Sequence, residues 1–520
     1  MASDQRVKVQ PAEIIEQRTY QVPGAYMSHS RLIYTPSNTF SRASHVFPLQ
    51  TSHPDAADVH KPIPFPPLTD PTHAGKLLIT EHHFLVPKDH HNPSSGTLRL
   101  FARSARRVAS FANPLPDDNT KPLPWMLWLN GGPGQSCPPP QHYPFTDPLL
   151  DRGYQVLILD QRGTGLSTPV TASTLGQRGD VDVQARHLKL YRADSIVRDC
   201  EAIRLALAAQ LPAGSMQGLE KWSIFGQSFG GFISVTYLSF YPEGLRESFI
   251  FGGLMPLVEG PDEVYRRLYR VLRRRNEVYY AKYPEDVERV KSVVKFLGRW
   301  GDGRVKLPSG GSLTGRLFLA LGIGFGMHRR IDSVHDLVLK AALDIEMFGH
   351  LTRGTLSMLE ASLGWDDCLI YSILHEPIYT NGTAPRWSAH RVKEAEYPEF
   401  SLKRLDSDDP LYFTGEMVYP WMFDDCFELA KVKPVAEKLA ADNDWPPLYD
   451  LEQLGKNEVP VYAAAYVEDM YVDIDFSRET AAAIKGCKMF STNVYYHNAI
   501  REKCKEVVDQ LFALRDDVID

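Results

Sequence analysis

The sequence predicts an α/β protein: a mostly parallel central sheet, helices on both faces, and a helical lid inserted late in the sheet. Three observations lead there. Short apolar runs alternate with helical patterns from about residue 76. The alternation stops near Pro256, gives way to a charged and largely helical stretch, and resumes at Val459. A serine between two glycines, Gly226-Gln227-Ser228-Phe229-Gly230, stands where a strand passes into a helix. Strands alternating with helices pack as a parallel sheet covered on both sides.

Residues 1–75 are rich in Pro, Ser, Thr and His and show little periodicity, so they read as an irregular N-terminal arm. The first part of the core spans residues 76–257. Residues 77–86 and 98–102 read as strands. Residues 124–129 form a buried strand that runs into Asn130-Gly131-Gly132-Pro133-Gly134, and residues 154–159 another that runs into Asp160-Gln161-Arg162-Gly163. Between Ala193 and Leu211, Ile196, Val197, Ile203 and Leu207 recur at helical spacing. The serine turn, its helix and a strand at residues 247–251 follow. Residues 258–445 form the helical lid, which includes a helix with a basic face at residues 265–275, read as a solvated surface. Residues 446–520 complete the core with strands at 459–466 and 489–495. A helical block between sheet strands covers the carboxyl edge, where open α/β sheets bind ligands.

A chain of 520 residues exceeds one simple core and is long enough for a large domain with such an insertion. A formal net charge of −7 argues against non-specific nucleic-acid binding. The six cysteines are scattered without a C-x-x-C, which argues against a disulfide framework and a zinc site. Met1-Ala2-Ser3-Asp4-Gln5-Arg6 lacks the apolar core of a signal peptide, and no run approaches 18 apolar residues. The expectation is a cytoplasmic protein without nucleic-acid or membrane partners, in which the sequon Asn381-Gly382-Thr383 is idle.

The serine turn suggests nucleophilic chemistry. A serine hydroxyl at neutral pH needs a base to take its proton and an acid to orient that base. In this architecture the chain order is Ser, then Asp or Glu, then His, with the partners at the ends of the last strands. Strand 459–466 runs into Val467-Glu468-Asp469-Met470, and the next strand into Tyr495-Tyr496-His497-Asn498. Ser228, Asp469 and His497 are therefore the candidate catalytic residues, with Glu468, Asp473 and Asp475 as neighbours of the acid. The oxyanion of a tetrahedral intermediate needs two backbone donors, each worth about 10²–10³ in rate. The N–H groups of Phe229, next to the nucleophile, and Gly132, in the glycine-rich turn, are the candidates. This chemistry requires no metal or organic cofactor.

Asn130-Gly131-Gly132-Pro133-Gly134, Asp160-Gln161-Arg162-Gly163-Thr164-Gly165-Leu166-Ser167 and Gly226-Gln227-Ser228-Phe229-Gly230-Gly231 together resemble the prolyl aminopeptidases, or proline iminopeptidases. The resemblance covers about residues 76–520. It implies an α/β-hydrolase fold and a serine peptidase that releases an N-terminal proline from a short peptide or small amide. The longer branch is closest, with Leu374-His375-Glu376-Pro377-Ile378-Tyr379 and Thr414-Gly415-Glu416-Met417-Val418-Tyr419-Pro420-Trp421 resembling its lid. By that resemblance Glu376 and Glu416 bind the substrate's free amine, with Asp406, Asp408 and Asp409 a rival acidic cluster. Asn130 departs from the His or Gln of many members, and Asp160 and Arg162 read as braces of the loops. An amidase, esterase or acyltransferase acting on a small metabolite would carry the same core motifs, because specificity lives in the lid. A binding protein on the same scaffold would not need the Ser, Asp and His set.

Overall fold

The computed structural model describes residues 6–22, 77–107, 122–300 and 303–517. Nine strands form the central sheet: β1 (Glu13–Val22), β2 (Leu77–Pro87), β3 (Thr97–Arg107), β4 (Trp125–Leu129), β5 (Gln155–Asp160), β6 (Trp222–Gln227), β7 (Leu245–Phe251), β8 (Val461–Tyr466) and β9 (Cys487–Thr492). Their spatial order is β1-β2-β3-β5-β4-β6-β7-β8-β9. The six strands from β5 to β9 run parallel; β1, β2 and β3 add an antiparallel edge.

Successive strand residues face opposite sides of a sheet, and the strands use both. Leu127, Leu129, Leu157 and Leu159 point into one apolar core with helices α1 (Ala193–Ala208) and α2 (Phe229–Phe240). Met126, Trp128, Val156 and Ile158 point into the other, with a helix at Cys504–Asp516. The chain steps from β4 outward to β5 and then back across to β6 on the other side of β4. Such a reversal opens a crevice at the carboxyl ends of the strands, and the loops after β4 and β6 meet there.

Between β7 and β8 the chain makes a long helical excursion. It includes α3 (Asp262–Lys282), α4 (Arg330–Phe348) and α5 (Ser388–Glu396). Several basic residues of α3 are taken up by carboxylates: Arg266 pairs with Glu396, Arg267 with Glu479 and Arg273 with Glu399. Among the described residues no helix is long and apolar enough to cross a membrane.

Two details differ from the sequence reading. Residues 13–22 belong to the sheet rather than to an irregular arm. They pair antiparallel with β2, from Glu13 opposite Leu85 to Val22 opposite Leu77. An exposed edge strand needs no apolar alternation, so its charged sequence hid it. The rest of that arm, residues 1–5 and 23–75, lies outside the described residues. The last strand ends at Thr492, which leaves His497 on a turn beyond it.

Candidate active site

Ser228 occupies the turn between β6 and α2 with φ 55° and ψ −123°. This is a left-handed conformation that a side-chain-bearing residue rarely adopts, and surrounding contacts must hold it. The Ser228 N–H donates to Phe251 O at the end of β7, at 3.0 Å. Gly230 makes the turn possible by close approach: a Cβ there would lie 1.9 Å from Leu129 O. The backbone after Ser228 thus presses against the end of β4. The N–H of Phe229 belongs to the first turn of α2, where helix donors have no intrahelical partner.

The turn after β4 lies alongside. A Cβ on Gly131 would sit 3.2 Å from Ser228 Cβ, so this turn packs directly against the serine. Asn130 supports this turn from its base. Its Nδ2 donates to Gln135 O and Ser136 O, each at 3.3 Å, and its carbonyl accepts from Gln161 Nε2 at 3.1 Å. Arg501 Nη2 donates to Asn130 Oδ1 at 3.3 Å.

The segment after β5 holds the neighbouring loops. Asp160 accepts from the N–H groups of Cys137, at 2.7 Å, and Leu166, at 2.9 Å. Arg162 grips Asp199 of α1 through Nε and Nη2, at 2.6 and 2.5 Å, and donates from Nη1 to Leu190 O at 2.8 Å. His90 adds a contact to Asp199 at 2.8 Å. Both residues act as braces, away from the serine.

Asp469 and His497 meet across the ends of β8 and β9. His497 Nδ1 and Asp469 Oδ2 are 2.7 Å apart. Asp469 Oδ1 accepts from the N–H groups of Tyr471 and Val472, at 2.8 and 3.1 Å. Burial works against a charged His497, but the Asp469 carboxylate outweighs it and, with Glu416, holds the imidazole pKa above its ordinary value. Asp473 instead caps the following helix through the N–H groups of Asp475 and Phe476. The dipeptide Gly252-Gly253 joins the two halves of the site. A Cβ on Gly252 would lie 3.2 Å from His497 Nδ1 and 3.3 Å from Asp469 Oδ2, and one on Gly253 2.5 Å from Ser228 O.

The helical excursion contributes two acids, Glu376 buried and Glu416 half-buried. Glu376 is 4% exposed and accepts the Ala389 N–H, at the start of α5, at 2.9 Å. Burial pushes its pKa up to about 8, against the pull of the α5 N–H groups. Glu416 accepts from the Tyr371 hydroxyl at 2.6 Å; burial pushes its pKa up to about 7, and it lies near enough to His497 and Asp469 to feel their charges. Asp406, Asp408 and Asp409 are exposed and take no part.

Tyr265 completes this corner. Its buried hydroxyl has no hydrogen-bond partner among the described residues, and the charges of Glu376 and Glu416 both act on it. Phe232 of α2, Tyr379 and Tyr265 form an aromatic wall, with ring centroids 5.7 and 6.4 Å apart in turn. The sequence reading missed Tyr265, although it shares the buried side of α3 with Leu268, Tyr269 and Leu272 at helical spacing. Nothing in the sequence tied it to Glu376. Tyr371 and Gly252 were missed for the same reason. Asn381 is engaged through both ends of its amide, with Val258 O and the Leu448 N–H, so the sequon's acceptor is committed inside the fold.

A groove of about 710 Å³ lies at the opposite, amino-terminal edge of the parallel strands, lined by Lys221, Arg246, Lys456 and Pro460 among others. It is remote from Ser228.

The arrangement combines a strained serine, a carboxylate-oriented histidine, a glycine turn packed against the serine, and a cluster of acidic and aromatic side chains. Residues 124–290 match the α/β hydrolase fold family model. The chain is 46% identical over 446 residues to proline iminopeptidase aneH of Aspergillus aculeatus, covering 86% of this chain and 95% of that one. It is 38% identical over 437 residues to the proline iminopeptidase of Aeromonas sobria, covering 84% and 96%. Among solved structures, a proline iminopeptidase of Mycobacterium smegmatis aligns over 84% of this chain and 98% of its own at 14% identity and a TM-score of 0.37, a likeness too distant to bear on function.

Proposed function

The chain belongs to the proline iminopeptidase family of α/β hydrolases, and we propose that it releases an N-terminal residue, preferentially proline, from short peptides through a Ser-His-Asp acyl-enzyme. Ser228 Oγ attacks the carbonyl carbon of the first residue while His497 Nε2 takes its proton. Asp469 keeps the proton of the neutral imidazole on Nδ1, so that Nε2 is free to act as base, and balances the imidazolium that forms. The N–H groups of Phe229 and Gly132 receive the oxyanion. The intermediate collapses with cleavage of the C–N bond, and His497 protonates the leaving amine. Water then attacks the acyl ester, His497 takes the water's proton, and the released acid leaves Ser228 reprotonated.

One observation carries the choice of substrate: half-buried Glu416 lies within electrostatic reach of His497 and Asp469, and both it and Glu376 act on Tyr265. A half-buried carboxylate beside a reacting centre, with a second one deeper in the excursion, favours a cationic group there. A free N-terminal ammonium lies one Cα from the scissile carbonyl, which matches that placement. The aromatic wall of Phe232, Tyr379 and Tyr265 suits a flat, apolar pyrrolidine ring. All six cysteines are free, which fits a reducing compartment, and the cytoplasm is the location proposed.

The test is hydrolysis of proline p-nitroanilide beside its alanine and leucine analogues, N-blocked proline p-nitroanilide and p-nitrophenyl acetate. Proline turnover that is lost on blocking the amine and on Ser228→Ala supports the reading. Ester cleavage dependent on Ser228, with no aminopeptidase activity, would transfer the protein to small-metabolite hydrolysis or acyl transfer.

A further inference from the structure

The turn that carries His497 is hydrogen-bonded to the helical excursion at three consecutive residues. The Tyr496 N–H donates to His328 Nε2 at 3.1 Å. The His497 N–H donates to Gly326 O at 3.2 Å. Asn498 Oδ1 accepts from the His328 N–H at 2.8 Å. His328 therefore holds both neighbours of His497, one with its ring and one with its backbone. Its ring packs edge-on against Tyr496, with centroids 5.0 Å apart.

The same segment also presses on the loop that carries Asp469. A Cβ on Gly326 would lie 2.3 Å from Met470 Cγ and 2.4 Å from Tyr471 Cε2, so the contact is backbone against side chain. The Tyr471 hydroxyl donates to Ile323 O, and the Tyr471 ring lies 4.5 Å from that of His497. Arg329, directly after His328, has φ 63°. A side-chain-bearing residue holds that left-handed conformation where its surroundings over-determine it, and here it turns the chain from the grip on His497 into α4.

We propose that His328 is a positioning residue for the hydrolysis: by holding Tyr496 and Asn498 it sets the His497 ring against Asp469 and toward Ser228. This rests on the role assigned to His497 above. The helical excursion then does more than cover the crevice and carry Glu376 and Glu416. It aligns the base, so the seat of the excursion and the competence of the serine are linked. The ring of His328 accepts at Nε2, so its proton is on Nδ1. A glutamine places an acceptor oxygen at similar reach, whereas an alanine supplies none.

The experiment measures phosphonylation of Ser228 by a fluorophosphonate, together with kcat and KM on proline p-nitroanilide, for wild type, His328→Ala and His328→Gln. Misplacement of a catalytic group by about 1 Å costs about 100-fold. The expected result for His328→Ala is a fall of about 10–100-fold in both kcat and phosphonylation rate with KM nearly unchanged, and recovery of most of both in His328→Gln. Asn498→Ala removes the other hydrogen bond of the grip and is expected to slow phosphonylation too, which keeps the test open if His328→Ala fails to fold. Wild-type phosphonylation rates in the folded variants would overturn the proposal, as would a loss in His328→Ala that glutamine does not restore. Wild-type protein that resists the probe at Ser228 would overturn the hydrolase reading itself.

Discussion

His497 and Asp469 are joined at 2.7 Å through Nδ1 and Oδ2, and the second oxygen of Asp469 is tied to two backbone N–H groups. The carboxylate is thus fixed in position before it meets the ring. Asp469→Asn keeps the shape but offers an amide N–H where the ring needs an acceptor. The wrong imidazole tautomer then faces the serine, and kcat on proline p-nitroanilide is expected to fall by about 10⁴-fold. Steady-state kinetics beside Ser228→Ala checks this; a loss under tenfold would deny Asp469 its role.

The acid limb of the pH profile is expected to depend on the substrate. Glu376 and Glu416 protonate as pH falls through about 8 and about 7, and His497 does so above its ordinary value of 6.5. With an amine substrate all three protonations cost activity. The limb of kcat/KM for proline p-nitroanilide should therefore be steeper than one proton. p-Nitrophenyl acetate lacks the amine and should follow His497 alone, with a single-proton slope. Identical limbs for both substrates would remove the carboxylates from binding.

Glu376 makes activity and stability pull apart. Its folded pKa, near 8, exceeds the ordinary 4.5, so between these values the folded chain holds a proton that the unfolded chain releases. Stability from this group is present below about pH 4.5 and is lost as pH rises toward 8. Glu376→Gln should be more thermostable than wild type by a margin that widens from pH 5 to pH 8. The same variant should lose about 10–100-fold in kcat/KM on proline p-nitroanilide, the worth of a hydrogen bond to a charged group. Melting curves at the two pH values, with kinetics on the same samples, test both halves.

Gly252→Ala would place a methyl group 3.2 Å from His497 Nδ1 and 3.3 Å from Asp469 Oδ2, on a residue with φ 53°. The expected result is a kcat loss of about 3–10-fold, because the pair must give by a few tenths of an ångström to admit it and a full 1 Å misplacement costs about 100-fold. Fluorophosphonate labelling of the folded variant reads the change directly, and an undiminished rate would show that the pair tolerates the intrusion.

Arg162→Met removes the partner of a fully buried carboxylate while leaving the serine, histidine and aspartate untouched. Asp199 would keep its 2.8 Å contact with His90 Nε2 but lose the guanidinium. Breaking a buried pair on one side costs about 3–5 kcal/mol. Denaturant unfolding should show that loss, and a midpoint equal to wild type would mean the brace is dispensable.

The parts of the site that are legible in the sequence are those where one short segment supplies both the residue and its backbone. Ser228 stands out because a strand, two glycines and a helix surround it. Asp469 and His497 stand out because each follows an apolar strand in the required order. Tyr265 and His328 are illegible for the opposite reason. Tyr265 reaches Glu376 and Glu416 across more than a hundred residues of chain, and His328 reaches Tyr496 across more than a hundred and fifty. Periodicity places each on an element but does not say what that element meets. β1 is hidden by composition: an edge strand exposed over most of its length reads EIIEQRTYQV, without the apolar run that marks β4 or β5.

The β1–β2 pairing closes with Val22 directly opposite Leu77. The chain therefore leaves and re-enters the sheet at adjacent points, at the end of the strands remote from Ser228. A two-residue reverse turn would satisfy the same geometry. The position is a ready grafting port: sequence can be lengthened, shortened or exchanged between these two residues while the ladder on either side keeps its frame.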